Sequence, residues 1–260
     1  MHIFTLGAPL LRFFLSMAPQ SDISAPEPIR LAKVVSEQHR CSRAEAEQYI
    51  EGGWVRVDGD VVEDPQFPLT TQAVEVDLDA RLTPTEPAII LLHKPVHVAF
   101  AASGALVTPE THARIDPSGW RIHARHFSRL TSLMALDADA SGLVVLSQDA
   151  RVCRRLTEDA AELEQEFMVE VVGDVGADTL SSLARGLRHR GRALPACNVS
   201  WQNGARLRFA IKDVRPGQLR HMCREVGLEA ITIKRVRIGR ISLGKMPAGQ
   251  WRYVPATDRF

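Results

Sequence analysis

Hydrophobic and polar positions change period along the chain, and the change divides it. From Arg30 to Val62 the apolar residues first keep a helical beat. Leu31, Val34 and Val35 form a stripe beside Arg30 and Lys33. Ser42-Arg43-Ala44-Glu45 is a capping box, with Ser42 satisfying a free amide while Glu45 reaches back. A second helix then carries Ala46, Tyr49 and Ile50 inward and stops at Gly52-Gly53. Trp54-Val55-Arg56-Val57-Asp58-Gly59 alternates as a strand ending in an Asp-Gly turn.

Asp64 to Pro87 is polar and carries Pro65, Pro68, Pro84 and Pro87, with Val74–Leu78 as a strand that closes the small module. A larger unit begins at Ala88. Its strand candidates are Ile89–Leu92, Leu143–Leu146, Phe167–Val172, Ala205–Ile211 and Ile231–Ile233, and its helix candidates are Ala150–Glu158, Asp178–Gly186 and Gln218–Val226. Strands outnumber helices, which predicts an α+β fold with a mixed, mainly antiparallel sheet. The expected organisation is a disordered leader at 1–26, a small module at 27–79, a linker at 80–87 and a large domain at 88–260. The apolar run Leu10–Leu15 is too short and interrupted to span a bilayer, and it lacks the charged start and cleavage site of a secretory signal.

Composition changes this picture only through charge. The net charge of +1 conceals a basic third: Arg185 to Lys245 holds 15 Lys/Arg against three acids, so the remainder is acidic. Such a block predicts a local polyanion site. The four cysteines, Cys41, Cys153, Cys197 and Cys223, form no Cys-x-x-Cys pair, which fits a reduced cytoplasm and neither a zinc site nor a disulfide framework.

Candidate chemistry centres on Leu136-Asp137-Ala138-Asp139-Ala140-Ser141-Gly142, which runs directly into Leu143-Val144-Val145-Leu146. The apolar run reads as a buried strand that anchors Asp137 on a rigid loop. Asp-x-Asp-x-Ser-Gly is also ordinary turn chemistry and imitates the start of a calcium loop, but the twelfth position is Gln148 and the following strand is too apolar to wrap an ion. Asp139 reads as a turn residue. His112, His123 and His126 match no common zinc spacing, and no metal ligand set is expected. Trp201, Trp251 and Tyr253 read as core or rim.

Two resemblances then give the pattern a meaning. Arg30-Leu31, Lys33, Ser36, Ser42-Arg43, Ala46, Ile50, Gly53, Val55, Val57 and Asp58-Gly59 resemble the S4-type (alpha-L) RNA-binding module over about thirty residues. That resemblance implies that Arg30, Lys33, Arg40, Arg43 and Arg56 face phosphates, contacts that position RNA without reading bases. The larger unit resembles the RNA pseudouridine synthases of the RsuA family, closest to their RluF branch. The matching segments, from about Ile89 to Val254, are Leu92-His93-Lys94-Pro95, Ala135-Leu136-Asp137 with Ser141-Gly142-Leu143, Glu166-Phe167-Met168-Val169, and Arg215-Pro216-Gly217-Gln218-Leu219-Arg220-His221-Met222. The last continues to Lys234-Arg235-Val236-Arg237-Ile238-Gly239 and Gly249-Gln250-Trp251-Arg252.

The resemblance implies isomerisation of uridine to pseudouridine without a cofactor. Asp137 would be the essential aspartate, Arg215 its paired arginine, Leu219 the apolar floor under the target base, and Phe167 the aromatic that stacks on it. Arg220, Lys234, Arg235 and Arg237 are the further RNA-binding candidates. The implied partner is RNA, with large-subunit ribosomal RNA first and transfer RNA second. The protein is expected to be a cytoplasmic monomer with no membrane contact.

This chain departs from the pattern at Phe167, where the family has tyrosine, and at Ala135, where it has arginine. It departs again at Pro216-Gly217 in place of Asn-Arg, and at His97 in place of glycine. Those losses motivate an alternative reading, a weak or inactive homologue that binds RNA or assists ribosome assembly. A stress-response module recognising stalled ribosomes would leave the C-terminal motifs unexplained.

Overall fold

Two short helices open the small unit, and local chemistry sets where each begins and ends. The structure, a computed structural model, describes residues 28–82 and 86–260 apart from 175, 177, 186, 190, 256, 257 and 259. The expected leader and part of the expected linker lie outside the described residues. β1 (Ile29–Arg30) leads into α1 (Leu31–His39), which ends where Arg40 turns left-handed at φ 51°. α2 (Arg43–Glu51) starts at the capping box. The Ser42 amide donates to Glu45 at 2.7 Å, and Ser42 Oγ accepts from the Glu45 amide at 3.2 Å. The Ser42 amide, together with the Ser42 hydroxyl donating at 2.8 Å, holds the Glu45 carboxyl below its usual range.

β2 (Val55–Val57) returns as β3 (Asp60–Val61) through Asp58-Gly59, both at positive φ, 51° and 90°. A two-residue turn of this kind requires that conformation, which is why Asp-Gly occupies it. β4 (Pro68–Leu69) pairs with β1, and β5 (Val74–Val76) pairs with β2. Leu31, Val35, Ala46, Ile50, Val55 and Val57 are buried together, with Val34 and Tyr49 packed against them.

The larger sheet begins at β6 (Ile89–Lys94), followed by β7 (Thr131–Leu133), β8 (Ser141–Ser147), α3 (Ala150–Glu158) and β9 (Gln165–Val172). α4 (Thr179–Ala184) and the hairpin β10 (Arg188–His189) with β11 (Arg192–Ala193) lead to β12 (Asn198–Asn203) and β13 (Arg206–Ile211). α5 (Gln218–Glu225), β14 (Glu229–Ile238), β15 (Ile241–Ser242) and β16 (Trp251–Tyr253) complete the order. Seven strands run β12-β13-β9-β14-β8-β6-β16, with β7 beside β8 and β15 beside β14. Every pairing in this sheet is antiparallel except β14 with β8, where Lys234 faces Ser141 and Arg235 faces Gly142. The expected mixed, mainly antiparallel α+β architecture is what forms.

The period of two along each strand sorts the core into two layers. Ile90, Leu92, Val144, Leu146, Phe167, Val169 and Phe209 share one face with Leu219 and Met222 of α5. Leu91, Leu143 and Val145 share the other with Leu156 of α3. Covering on both faces explains why Leu143–Leu146 is continuously apolar rather than alternating. Trp251 and Tyr253 are core, with Trp251 opposite Leu92.

The strand expected at Ile231–Ile233 is ten residues long, because Arg235 is a charged residue buried within it and breaks the apolar run that sequence pattern relies on. Residues 121–125 touch the small unit. Glu63 accepts from the Ala124 amide and lies 3.3 Å from His123 Nδ1, and Arg125 Nη1 is 2.8 Å from Glu51.

His126 is buried beneath this contact, its Nδ1 2.8 Å from the Tyr253 hydroxyl. Burial first, then His123 and Arg125, push its pKa down to about 4. The unfolded chain takes up this proton near pH 6.5 and the folded chain only near 4, so stability falls as pH drops through that window. The loss is expected to reach about 3 kcal/mol. Urea midpoints of wild type and His126→Gln at pH 7 and pH 4.5 check this. The variant should lose less on acidification, and parallel losses would refute the assignment.

Candidate active site

Asp137 sits on a loop whose ends are fixed by buried residues. Met134 enters it at φ 60°, Leu136 is buried, the Asp137 carbonyl accepts from the Ala140 amide at 3.1 Å, and Gly142 leaves it at φ 116°. The carboxylate reaches across the sheet to α5, where Asp137 Oδ2 accepts the Gly217 amide at 2.8 Å. Gly217 precedes the first residue of α5 at φ 75°, a backbone only glycine adopts without strain. Free amides at a helix start suit an anion. The acid is thus held by a backbone amide at residue 217 rather than by a side chain there.

Asp137, Phe167, Arg215 and Leu219 line one cleft, with Leu136, Val214 and Ile233. Four separate stretches meet there: the loop after β7, the β9 strand, the turn into α5, and β14. Leu219 and Phe167 are almost wholly buried in its walls. One expectation needs correcting. Arg215 does not pair with Asp137; its Nη2 lies 3.3 Å from Asp213, two residues upstream on the same turn. Asp137 is meanwhile occupied by the Gly217 amide, which leaves the half-exposed Arg215 guanidinium at the cleft mouth.

The expected RNA-facing cations divide in two. Arg30, Lys33, Arg40, Arg43 and Arg56 are all exposed. Arg30 donates to the Gln66 carbonyl, Arg56 to that of Gly59, and Arg43 pairs with Glu47. In the larger unit, Arg235 is 1% exposed, which corrects its expected place among the RNA-binding residues. Arg237 is engaged by Glu164 and Glu166, and Arg220 by Asp139 at 2.6 Å and the Ala230 carbonyl at 2.6 Å. Arg206 and Arg208 pair with Glu170 and Glu166. Much of the basic excess is therefore neutralised in place, leaving Lys234 half-buried beside the cleft strand.

Two buried cations flank the site, Lys94, which is not among the expected site residues, and Arg235, which is expected at the RNA surface instead. Lys94 is wholly buried and donates to the carbonyls of Pro95, Val98 and Ala138, and burial lowers its pKa. Burial also pulls Arg235 down to about 9, with Asp137 opposing, so it stays charged at neutral pH. Both lie inside quoted motifs, but nothing in sequence spacing distinguishes a buried lysine from a solvated one.

The alternative chemistries have partners of another kind. Asp137 and Asp139 turn to different protein groups rather than toward a shared ion. His112 pairs with Asp116, His123 with Glu63 and His126 with Tyr253. Among the described residues, no group of three or more His, Cys, Asp or Glu is placed to hold a metal, and no helix is long and apolar enough to cross a membrane.

Comparison with known proteins gives one family match and several relatives. The S4 domain family profile matches residues 29–74. An uncharacterised RNA pseudouridine synthase of Aquifex aeolicus is 27% identical, over 86% of this chain and 92% of its own length. The dual-specificity RNA pseudouridine synthase RluF of Escherichia coli K12 is 27% identical, over 86% of this chain and 74% of its own. The ribosomal small subunit pseudouridine synthase A of Salmonella typhimurium is 27% identical, over 88% and 97%. A crystal structure of a pseudouridylate synthase shares the fold, with TM-score 0.55 and 19% identity over 87% of this chain and 96% of that one.

Proposed function

We propose that this chain, an S4-domain relative of the RluF- and RsuA-type RNA pseudouridine synthases, isomerises uridine to pseudouridine in RNA, with ribosomal RNA as substrate and Asp137 as its essential acid. The observation that carries the reading is the placement of the Asp137 carboxylate against the start of α5, in a cleft walled by Phe167 and Leu219. The reaction breaks the bond between uracil N1 and the ribose, turns the ring, and rejoins it through C5, so nothing is gained or lost overall. A carboxylate serves either by attacking the glycosidic carbon or by taking a neighbouring sugar proton, and both need an ionised acid in fixed position. The target base has to leave its stack, at about a few kcal/mol, and apolar walls offset part of that cost.

In this reading the protein is a cytoplasmic monomer that works without a cofactor. A module at 27–79 positions RNA, residues 80–87 link, and 88–260 carry the chemistry. Arg215 at the cleft mouth meets a phosphate when RNA enters.

Chemical mapping of pseudouridine in ribosomal and transfer RNA, from cells with and without the gene, tests the function. A site lost with the gene and restored by purified protein on a transcript supports it; an unchanged map supports the non-catalytic RNA-binding alternative. Lys33→Gln is expected to weaken RNA binding equally across sequences and to lower the salt slope of log affinity by about one. Filter binding across a salt series measures both, and an unchanged slope removes Lys33 from the interface.

A further inference from the structure

We propose that Lys94 and Arg235 are paired positioning residues that set the Asp137 carboxylate by gripping the backbone on both sides of it. The inference rests on the function proposed above. Arg235 Nη2 donates to the Met134 carbonyl at 2.6 Å, and Nη1 to the Ala135 carbonyl at 3.1 Å and to Gln165 at 2.9 Å. Its Nε donates to the Leu143 carbonyl at 2.7 Å, on the strand that follows the loop. From the opposite side Lys94 Nζ donates to Ala138 at 3.2 Å, and to Pro95 and Val98 at 2.9 Å each. The carbonyls at 134, 135 and 138 thus flank Asp137, and the two cations come from different strands, β14 and β6.

Neither cation forms an ion pair among the described residues. Burying a charge without a counter-ion is costly, and an apolar residue of similar size would stabilise the fold better. Two such charges meeting at one seven-residue loop therefore point to the loop as their purpose. The groups whose fields favour their charged forms are the loop's own acids, Asp137 for Arg235 and Asp139 with Asp137 for Lys94. A guanidinium offers a rigid fork and an ammonium three rotatable donors, so the first fixes direction and the second adapts around it. Ala135 brings no charge of its own, and the Arg235 guanidinium sits against its carbonyl.

The experiment measures amide exchange of residues 134–140 together with pseudouridine formation in Lys94→Met, Arg235→Met and Arg235→Lys. Exchange in that segment is expected to rise at least about tenfold, with distant segments unchanged. Misplacing the acid by a fraction of an ångström to an ångström is expected to lower kcat about 100-fold in the methionine variants, with KM for RNA within about twofold. Arg235→Lys keeps the charge without the fork and should recover part of kcat. A merely structural role lowers the folded yield but leaves kcat per folded molecule and exchange in 134–140 at wild-type values; either unchanged value overturns the proposal. Should Arg235→Met fail to fold, Lys94→Met and Arg235→Lys decide it. A wild type that forms no pseudouridine refutes the proposed function instead, and the exchange data alone then judge the positioning.

Discussion

Asp137→Asn is expected to lower pseudouridine formation by about three to four orders of magnitude while RNA affinity stays within about twofold. The substitution is nearly isosteric. An asparagine oxygen can still accept the Gly217 amide, so the loop and the start of α5 keep their contact. What disappears is the charge and with it both available roles, attack on the sugar carbon and removal of a sugar proton. Affinity is preserved because the exposed cations of the small unit, Lys33 and Arg40 among them, lie elsewhere on the chain. Time courses of pseudouridine formation on a transcript, with binding measured in parallel, separate the two quantities. Substantial turnover in the purified variant would remove Asp137 from the chemistry, and a matching loss of affinity would reassign it to binding.

Gly142→Ala is expected to be the most damaging single change to the fold, costing about 3–5 kcal/mol or preventing folding outright. A Cβ at residue 142 would lie 2.2 Å from the Arg235 carbonyl oxygen and 2.5 Å from the Arg235 amide nitrogen. Both are backbone atoms, so no side-chain rotation relieves the clash. The φ of 116° adds strain for any residue with a Cβ. Relief requires moving β14 away from β8, and that also withdraws Arg235 from the Ala135 and Met134 carbonyls. Denaturant unfolding measures the effect, and a midpoint unchanged from wild type would show that the two strands can separate without cost.

Much of this protein was legible because its local signals agree with its tertiary ones. Ser42 and Glu45 cap α2 as their spacing requires, Asp58-Gly59 makes the turn it encodes, and Leu143–Leu146 is as buried as its composition demands. The four cleft residues could be grouped from quoted motifs although they lie on three separate stretches. Legibility failed where a side chain's environment is set by distant chain. Arg235 reads as an RNA-binding residue because sequence records its charge but not the two layers that enclose it. Arg215 read as the partner of Asp137, yet Asp213 is nearer along its own turn. Asp139 reads as a turn residue, and its engagement by Arg220 has no local signature. β16 escaped notice because three residues are too few to show a period, though Trp251 and Tyr253 are among the largest buried side chains.

The single parallel junction, β8 beside β14, also fixes when the cleft can come into being. Asp137 is made about midway through synthesis, but its partner Gly217 and its gripping neighbour Arg235 follow some eighty to a hundred residues later. Strand β6 gains its outer neighbour β16 only when Trp251–Tyr253 arrives. Contacts this distant close late, after the local helices and hairpins have formed. A nascent chain can therefore hold a folded RNA-binding module while its acid still lacks a cleft. Under the proposed function, recognition of RNA is then available before chemistry on it, and the order of synthesis keeps an unfinished copy from modifying the molecule it can already touch.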